Sequence, residues 1–188
     1  MKQSEIIKNM SAEEVKNQLL LTQSCFFLLS IFLSYFLFDH IADWFLYFSV
    51  DGKAILLFGI FSAIIIVVIE IVLYLFLPSR YFDDGGINEK VFKNQSIGNI
   101  FLIAIVVAIS EEFLFRGVIQ TSFGYIFASA LFVLVHFRYL KKPVLLVLVI
   151  IISFYLGYVF ELTKNLYVVI AFHFVVDFLL GLFMKYKK

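Results

Sequence analysis

Apolar residues dominate six stretches of the chain, and most polar residues fall between them. A helix needs about 20 mostly apolar residues to cross a bilayer. The fifth stretch is short, and charges lie within or beside the third and fourth. The pattern therefore predicts an all-α, polytopic membrane bundle of about six transmembrane helices, at 19–38, 54–77, 100–119, 123–140, 144–160 and 166–184.

Composition agrees with a membrane protein rather than a soluble one. The 188 residues are 63% hydrophobic and 15% charged, whereas soluble domains are about half apolar and about a quarter charged. The one cysteine, Cys25, excludes an internal disulfide and is expected to be a small buried residue. A formal charge of +1 gives no reason to expect a nucleic-acid partner. Membrane lipids are the expected surroundings, and the sequence leaves the oligomeric state open.

The basic residues predict an orientation. Three lie in each of the N-terminal segment, the loop after the second span, the loop after the fourth span and the C-terminal tail. The opposite side receives only Lys53 and Lys164, and Arg116 remains inside a span. The positive-inside rule then places both termini in the cytoplasm. Without organelle signals, we expect a multi-pass protein of a bacterial plasma membrane.

The predicted spans divide the chain into three parts. Residues 1–18 form a cytoplasmic or interfacial segment, in which Ser11 and Glu14 have the spacing of a helix capping box. Residues 19–184 form the transmembrane bundle, and residues 185–188 form a basic tail.

Ionisable side chains inside the spans are the candidates for function. Each costs at least about 2.5–3.5 kcal/mol at mid-membrane, so such residues usually face an interior cavity and pair with one another. The chain has seven of them: Glu70, Glu111, Glu112, Arg116, His136, His173 and Asp177. Six form three groups on the third, fourth and sixth predicted spans, and Glu70 stays unassigned.

The first group contains two adjacent acids. Glu112 and Arg116 are four residues apart, so they share a helix face and can pair. Glu111 points about 100° away and has no local partner. An apolar environment makes a carboxylate a stronger base, which suits a general base. The alternative is that Glu111 only accepts hydrogen bonds from a neighbouring helix.

The other two groups contain the histidines. His136 alone is more typical of a satisfied core residue than of a catalyst. His173 and Asp177 share a helix face, so Asp177 either holds the histidine tautomer, ligates a metal together with it, or forms an interhelical hydrogen bond. Helix rise places these residues in the cytoplasmic half of the membrane, with His136 only roughly 6 Å deep. We therefore expect a single cavity that opens towards the cytoplasm.

Carboxylates and histidines in one apolar pocket indicate hydrolysis by an activated water. The chain has no His-Glu-x-x-His motif, which excludes a zincin site, and no Gly-x-Ser-x-Gly motif. A transporter is less well supported, because inverted repeats and interrupted helix pairs are missing from the sequence.

The three groups together resemble the CPBP family, which contains CAAX proteases and bacteriocin-processing enzymes and is also called the Abi family. Its signature is Glu-Glu-x-x-x-Arg, then Phe-x-x-x-His, then His-x-x-x-Asn/Asp on successive helices. Here these are Glu111-Glu112 with Arg116, Phe132 with His136, and His173 with Asp177. The resemblance covers a catalytic core at about 98–180.

The resemblance implies an intramembrane endopeptidase that acts on a peptide or a membrane protein, in peptide or bacteriocin maturation or in self-immunity. It implies that Glu111 is the general base, that Glu112 pairs with Arg116 and that His136 binds the water. His173 and Asp177 would form the oxyanion site or a metal shell. If a metal is bound, zinc held by Glu111, His136, His173 and Asp177 is the expectation; otherwise the enzyme is a glutamate protease.

One position departs from the commoner family pattern. Asp177 stands where many members have Asn, and an amide can donate to an oxyanion whereas an ionised carboxylate cannot. The alternative function is a non-catalytic membrane scaffold or a regulatory or immunity protein. Such a protein would use the same polar cluster for packing or for binding a partner.

Overall fold

A computed structural model describes residues 10–82, 85–140 and 142–187, and this part of the chain contains helices and no strand. Within these ranges, five helices are long and apolar enough to cross a membrane, and a shorter apolar helix accompanies them. The all-α polytopic bundle is therefore confirmed. In chain order the helices are α1 (Ala12–Leu37), α2 (Gly52–Phe76), α3 (Ile87–Phe92), α4 (Ile97–Phe123), α5 (Tyr125–Val135), α6 (Pro143–Thr163) and α7 (Leu166–Tyr186).

The first spanning helix begins where its capping signal predicts. The backbone N–H of Ser11 donates to Glu14 Oε2 at 2.7 Å, and the backbone N–H of Glu14 donates to Ser11 Oγ at 3.2 Å. This box opens α1 itself, so the boundary predicted after residue 18 falls inside one continuous helix. Half of the predicted segment, residues 1–9, lies outside the described residues. Cys25 is exposed on α1, so the prediction that it is buried was wrong.

The predicted fourth span, 123–140, is wrong in its length. Helix α5 has 11 residues, which extend for about 16 Å and do not cross a hydrocarbon core of about 30 Å. Gly124, with φ 88°, ends α4 and precedes α5. After Val135 the chain leaves the α-helix, and Phe137–Tyr139 forms a 3₁₀ turn.

The short helix changes the depth of His136. The turn at Gly124 reverses the chain between two packed helices, so residues equally distant from it along the helices lie at similar depths. Glu112 and His136 are each 12 residues from Gly124. The depth counted for His136 from a helix end at residue 140 therefore does not apply, because α5 ends at Val135.

Helix α7 packs against both α2 and α4 in the centre of the bundle. It approaches α2 closely at Gly59, where an added Cβ would lie 3.1 Å from the backbone oxygen of Val168 and 3.2 Å from Ala171 Cβ. The apolar core around α7 includes Phe160 and Phe172, both fully buried. A π-helical segment, Phe113–Gln120, interrupts α4 directly after Glu112. Such segments occur frequently at functional sites.

Candidate active site

Glu112 is a fully buried carboxylate that joins two helices. Its Oε1 accepts hydrogen bonds from Arg116 Nη1 at 3.1 Å and from His173 Nδ1 at 2.7 Å. The predicted pairing of Glu112 with Arg116 is therefore present. Because His173 lies on α7, the same oxygen also ties α4 to α7.

Arg116 extends this connection to α5 and α6. Its Nη2 donates to the backbone oxygen of Ser153 at 3.1 Å, and its Cζ lies 4.5 Å from the centroid of the Phe132 ring. The side chain of Arg116 is 1% exposed. A buried guanidinium is tolerated only where hydrogen bonds and a counter-charge satisfy it. Arg116 and Glu112 together thus link α4, α5, α6 and α7.

The ring of His173 is oriented by Glu112 rather than by Asp177. A carboxylate oxygen only accepts, so His173 Nδ1 carries the hydrogen. Its Nε2 lies 3.6 Å from Asp177 Oδ2 and 3.9 Å from Glu111 Oε2, and both distances exceed hydrogen-bond length. Glu112, and not Asp177, is thus within hydrogen-bond length of the ring, and the carboxylate of Asp177 stands beside Nε2.

Glu111 has a partner that the sequence reasoning missed. Its Oε1 accepts a hydrogen bond from Gln23 Nε2 at 2.8 Å, and both side chains are buried. Gln23 belongs to α1 and is neutral, so it is not among the ionisable residues from which the site was predicted. The available signal was an amide within a predicted span, where polar side chains usually bond to a neighbouring helix.

His136 lies at the end of α5, and its own helix fixes its tautomer. Nδ1 is 2.8 Å from the backbone oxygen of Phe132. A carbonyl only accepts, so Nδ1 carries a hydrogen, and Nε2 of the neutral ring is left as an acceptor. The imidazole stacks on the Phe132 ring, with 4.6 Å between centroids and 29° between planes.

These side chains meet at one cavity. A cavity of about 240 Å³ is bordered by Glu111, His136, His173 and Asp177, together with Gln23 and Glu70. Glu111 and His136 also border a second cavity of about 530 Å³ between α1, α3 and the end of α5. The predicted convergence on a single site is thus present in the structure. Glu112 and Arg116 are not among the lining residues. They contact two residues that are, His173 and Phe132.

The number and spacing of the donor side chains bear on whether the site could hold a metal ion. Zinc ligands lie about 2.0–2.3 Å from the ion and usually number three or four. In the parts of the chain that the structure describes, no group of three or more His, Cys, Asp or Glu side chains is placed to hold a metal ion. The mechanism proposed below therefore uses no metal in any step.

The comparisons with known proteins agree with the site. Residues 93–179 match the family model of the type II CAAX prenyl endopeptidase Rce1-like proteins. The chain is also 39% identical over 142 residues to the uncharacterized protein YpbD of Bacillus subtilis (strain 168), covering 76% of this chain and 75% of that protein. No solved structure matches the chain significantly.

The chain belongs to the Rce1-like family, which is the CPBP family named above. This is a family of proteases, and the apolar helices make this member a multi-pass membrane protein. The matched residues include the three motifs and all of α4, α5 and α6. They do not include α1, which supplies Gln23.

Proposed function

We propose that the chain is an intramembrane endopeptidase that hydrolyses a peptide bond with a water activated by Glu111. One observation carries the proposal: Glu111, His136 and His173, from three helices, border the same cavity within the bundle. Membership of a protease family supports the same activity. The substrate we propose is a peptide or a membrane protein, cleaved in maturation or in self-immunity.

Glu111 acts as the general base. Its Oε1 is held by Gln23, and its Oε2 is directed towards His173. Oε2 takes one proton from water, while the other O–H of the water donates a hydrogen bond to His136 Nε2, which orients the molecule. The water oxygen then forms a bond to the carbonyl carbon of the peptide. When the carbon–nitrogen bond breaks, Glu111 returns the proton to the leaving amine.

His173 and Asp177 stabilise the oxyanion. With a hydrogen on each ring nitrogen, His173 donates Nδ1–H to Glu112 and presents Nε2–H beside Asp177. Donors arranged before the reaction where negative charge develops usually give the largest single contribution to catalysis. Asp177 takes part as a donor only when its carboxyl group carries a proton.

The proposal includes the location of the protein. Both termini face the cytoplasm of a bacterium, because the basic residues are concentrated in segments that the positive-inside rule places there. With five crossing helices, this orientation requires that α5 and the residues after it together return the chain to the cytoplasmic side before α6 begins. A fluorescent protein fused after Lys188 should fluoresce, and alkaline phosphatase inserted after Gly52 should be active. The reverse pattern would contradict the orientation.

The first experiment identifies products in the cell. Membranes are compared by N-terminal peptide profiling from a deletion strain and from the same strain carrying wild type, Glu111→Gln or Glu13→Gln at matched expression. Glu13 is exposed near the start of α1 and borders neither cavity, so Glu13→Gln is the matched control. New N-termini are expected with wild type and Glu13→Gln, and not with Glu111→Gln.

The second experiment tests whether cleavage is direct. A peptide that spans one of these sites is incubated with the purified protein in detergent or in vesicles. Cleavage at the same bond by wild type, and its loss in Glu111→Gln, would support the proposal. Restoration of every wild-type N-terminus by Glu111→Gln would contradict it, because the glutamate would then have no chemical role.

A further inference from the structure

Gln23 brings the first spanning helix into the site. Its side chain is 4% exposed, and its Nε2 donates to Glu111 Oε1 at 2.8 Å. The two residues are 88 positions apart in the chain, and Gln23 lies outside the segment that matches the family model. The contact therefore arises from how α1 packs against α4.

The amide oxygen of Gln23 provides a second observation. Gln23 Oε1 is buried, and it has no hydrogen-bond partner in the described parts of the chain. Unsatisfied buried acceptors are destabilising and rare. An apolar residue of similar size would avoid this cost if Gln23 only filled space. Gln23 instead borders both cavities, at the point where Glu111 and His136 also border both.

The bond to Gln23 makes the two oxygens of Glu111 unequal. The terminal torsion of a glutamate is broad, so an unrestrained carboxylate samples many orientations. Donation to Oε1 restrains this torsion and leaves Oε2 directed towards His173 Nε2, 3.9 Å away. Holding a reacting group close to its productive geometry contributes directly to rate.

We propose that Gln23 is a positioning residue that holds the Glu111 carboxylate for proton transfer from water. The inference rests on the proposed function and deepens it. It makes α1 a part of the catalytic apparatus and not only a membrane anchor. Gln23 acts through Glu111, so its loss should slow the chemical step without weakening substrate binding.

Gln23→Met tests the proposal because methionine keeps the length of the side chain and removes the N–H donor. With a peptide that spans a cleavage site found by the profiling, kcat should fall roughly ten- to a hundredfold, as expected for a lost hydrogen bond to a charged group. KM should stay within about twofold. Asn17→Leu is the control: Asn17 is an exposed amide of α1 that borders neither cavity, and its kcat should match wild type.

A double-mutant cycle separates positioning from a general effect on folding. In a Glu111→Asp background the base is already displaced, so Gln23→Met should reduce kcat by much less than it does alone. If the factors by which the two single substitutions reduce kcat multiply in full in the double variant, the proposal is overturned. A wild-type kcat for Gln23→Met, or a change confined to KM, also overturns it.

A second variant covers the case in which Gln23→Met does not fold. Gln23→Glu has nearly the same shape, loses the N–H donor and places a second acid against Glu111, so its kcat should fall at least as far. A wild-type kcat in this variant overturns the proposal. Glu111→Gln is measured beside both variants: if it cleaves normally, the proposed function fails, whereas if only the Gln23 variants cleave normally, the inference alone fails.

Discussion

His173 Nδ1 lies 2.7 Å from Glu112 Oε1, and this bond joins α7 to α4 beneath the cavity. The same oxygen accepts from Arg116, whereas Glu112 Oε2 is buried without a hydrogen-bond partner among the described residues. One carboxylate oxygen therefore fixes both the orientation of an imidazole and the position of a buried guanidinium. The chemistry and the stability of the bundle depend on a common atom.

Replacing Glu112 should therefore damage stability and cleavage together. Glu112→Gln keeps the size of the side chain but leaves the charge of Arg116 buried and uncompensated, which costs about 3–5 kcal/mol. It also weakens the bond that orients His173, so kcat should fall. Unfolding of the purified protein in detergent measures the first effect, and peptide cleavage measures the second.

An exposed pair provides the matched control for this prediction. Glu89 Oε1 lies 2.6 Å from Lys93 Nζ, and the two side chains are 49% and 52% exposed. Solvent screens such pairs, so Glu89→Gln should cost no more than about 1 kcal/mol and should leave cleavage unchanged. Equal losses of stability in the two variants would contradict the central role given to Glu112.

The position of Asp177 predicts that one of its variants still cleaves the peptide. In Asp177→Asn an amide N–H replaces a group that donates only when protonated, close to the oxyanion position beside His173 Nε2. Cleavage should stay at or above the wild-type rate. Asp177→Ala removes the donor, and kcat should fall by about 10²–10³. If Asp177→Asn is as slow as Asp177→Ala, the charge itself is required and the donor role is wrong.

The position of His136 depends on close packing between α5 and α6. A Cβ added at Gly157 would lie 2.6 Å from Ser129 Oγ and 2.7 Å from the ring of Tyr125. Gly157→Ala should therefore force the two helices apart, at a cost of about 1–3 kcal/mol. Because His136 directly follows the last residue of α5, the rate of cleavage should fall as well.

Gly52 is the matched control for this substitution. An added Cβ at Gly52 meets nothing within 4 Å, and alanine is favoured over glycine in a helix by roughly 0.5–1 kcal/mol. Gly52→Ala should be neutral or slightly stabilising, with wild-type cleavage. The packing argument fails if Gly157→Ala is as stable and as active as Gly52→Ala.

Relationships within one helix could be predicted from the sequence. The spacing of Glu112 and Arg116 predicts their pairing, and Ser11 with Glu14 predicts the start of α1. The apolar stretches predict the class of fold, because about 20 apolar residues have few alternatives to crossing a membrane. Each of these depends only on helix periodicity or on local composition.

Relationships between helices could not be predicted in the same way. The bonds from Gln23 to Glu111 and from His173 to Glu112 depend on how each helix is rotated and how deep it lies. Apolar residues continue after α5, so hydropathy did not show that the helix ends at Val135. His136 therefore follows the last residue of α5 rather than lying within the helix.

The last prediction concerns metal removal. Glu111 can activate water by taking one proton while His136 accepts a hydrogen bond from it, and the described residues offer no group of three or more His, Cys, Asp or Glu side chains placed to hold an ion. Purified protein treated with 1,10-phenanthroline and EDTA should therefore cleave its peptide at the untreated rate, with zinc below stoichiometric amounts by elemental analysis. A zinc protease in the same detergent, which should lose activity, shows that the chelators work.

Loss of cleavage that zinc restores, and magnesium does not, would instead assign Glu111, His136, His173 and Asp177 as ligands, because zinc favours nitrogen and carboxylate donors. That outcome would replace proton abstraction from free water with attack by a metal-bound one.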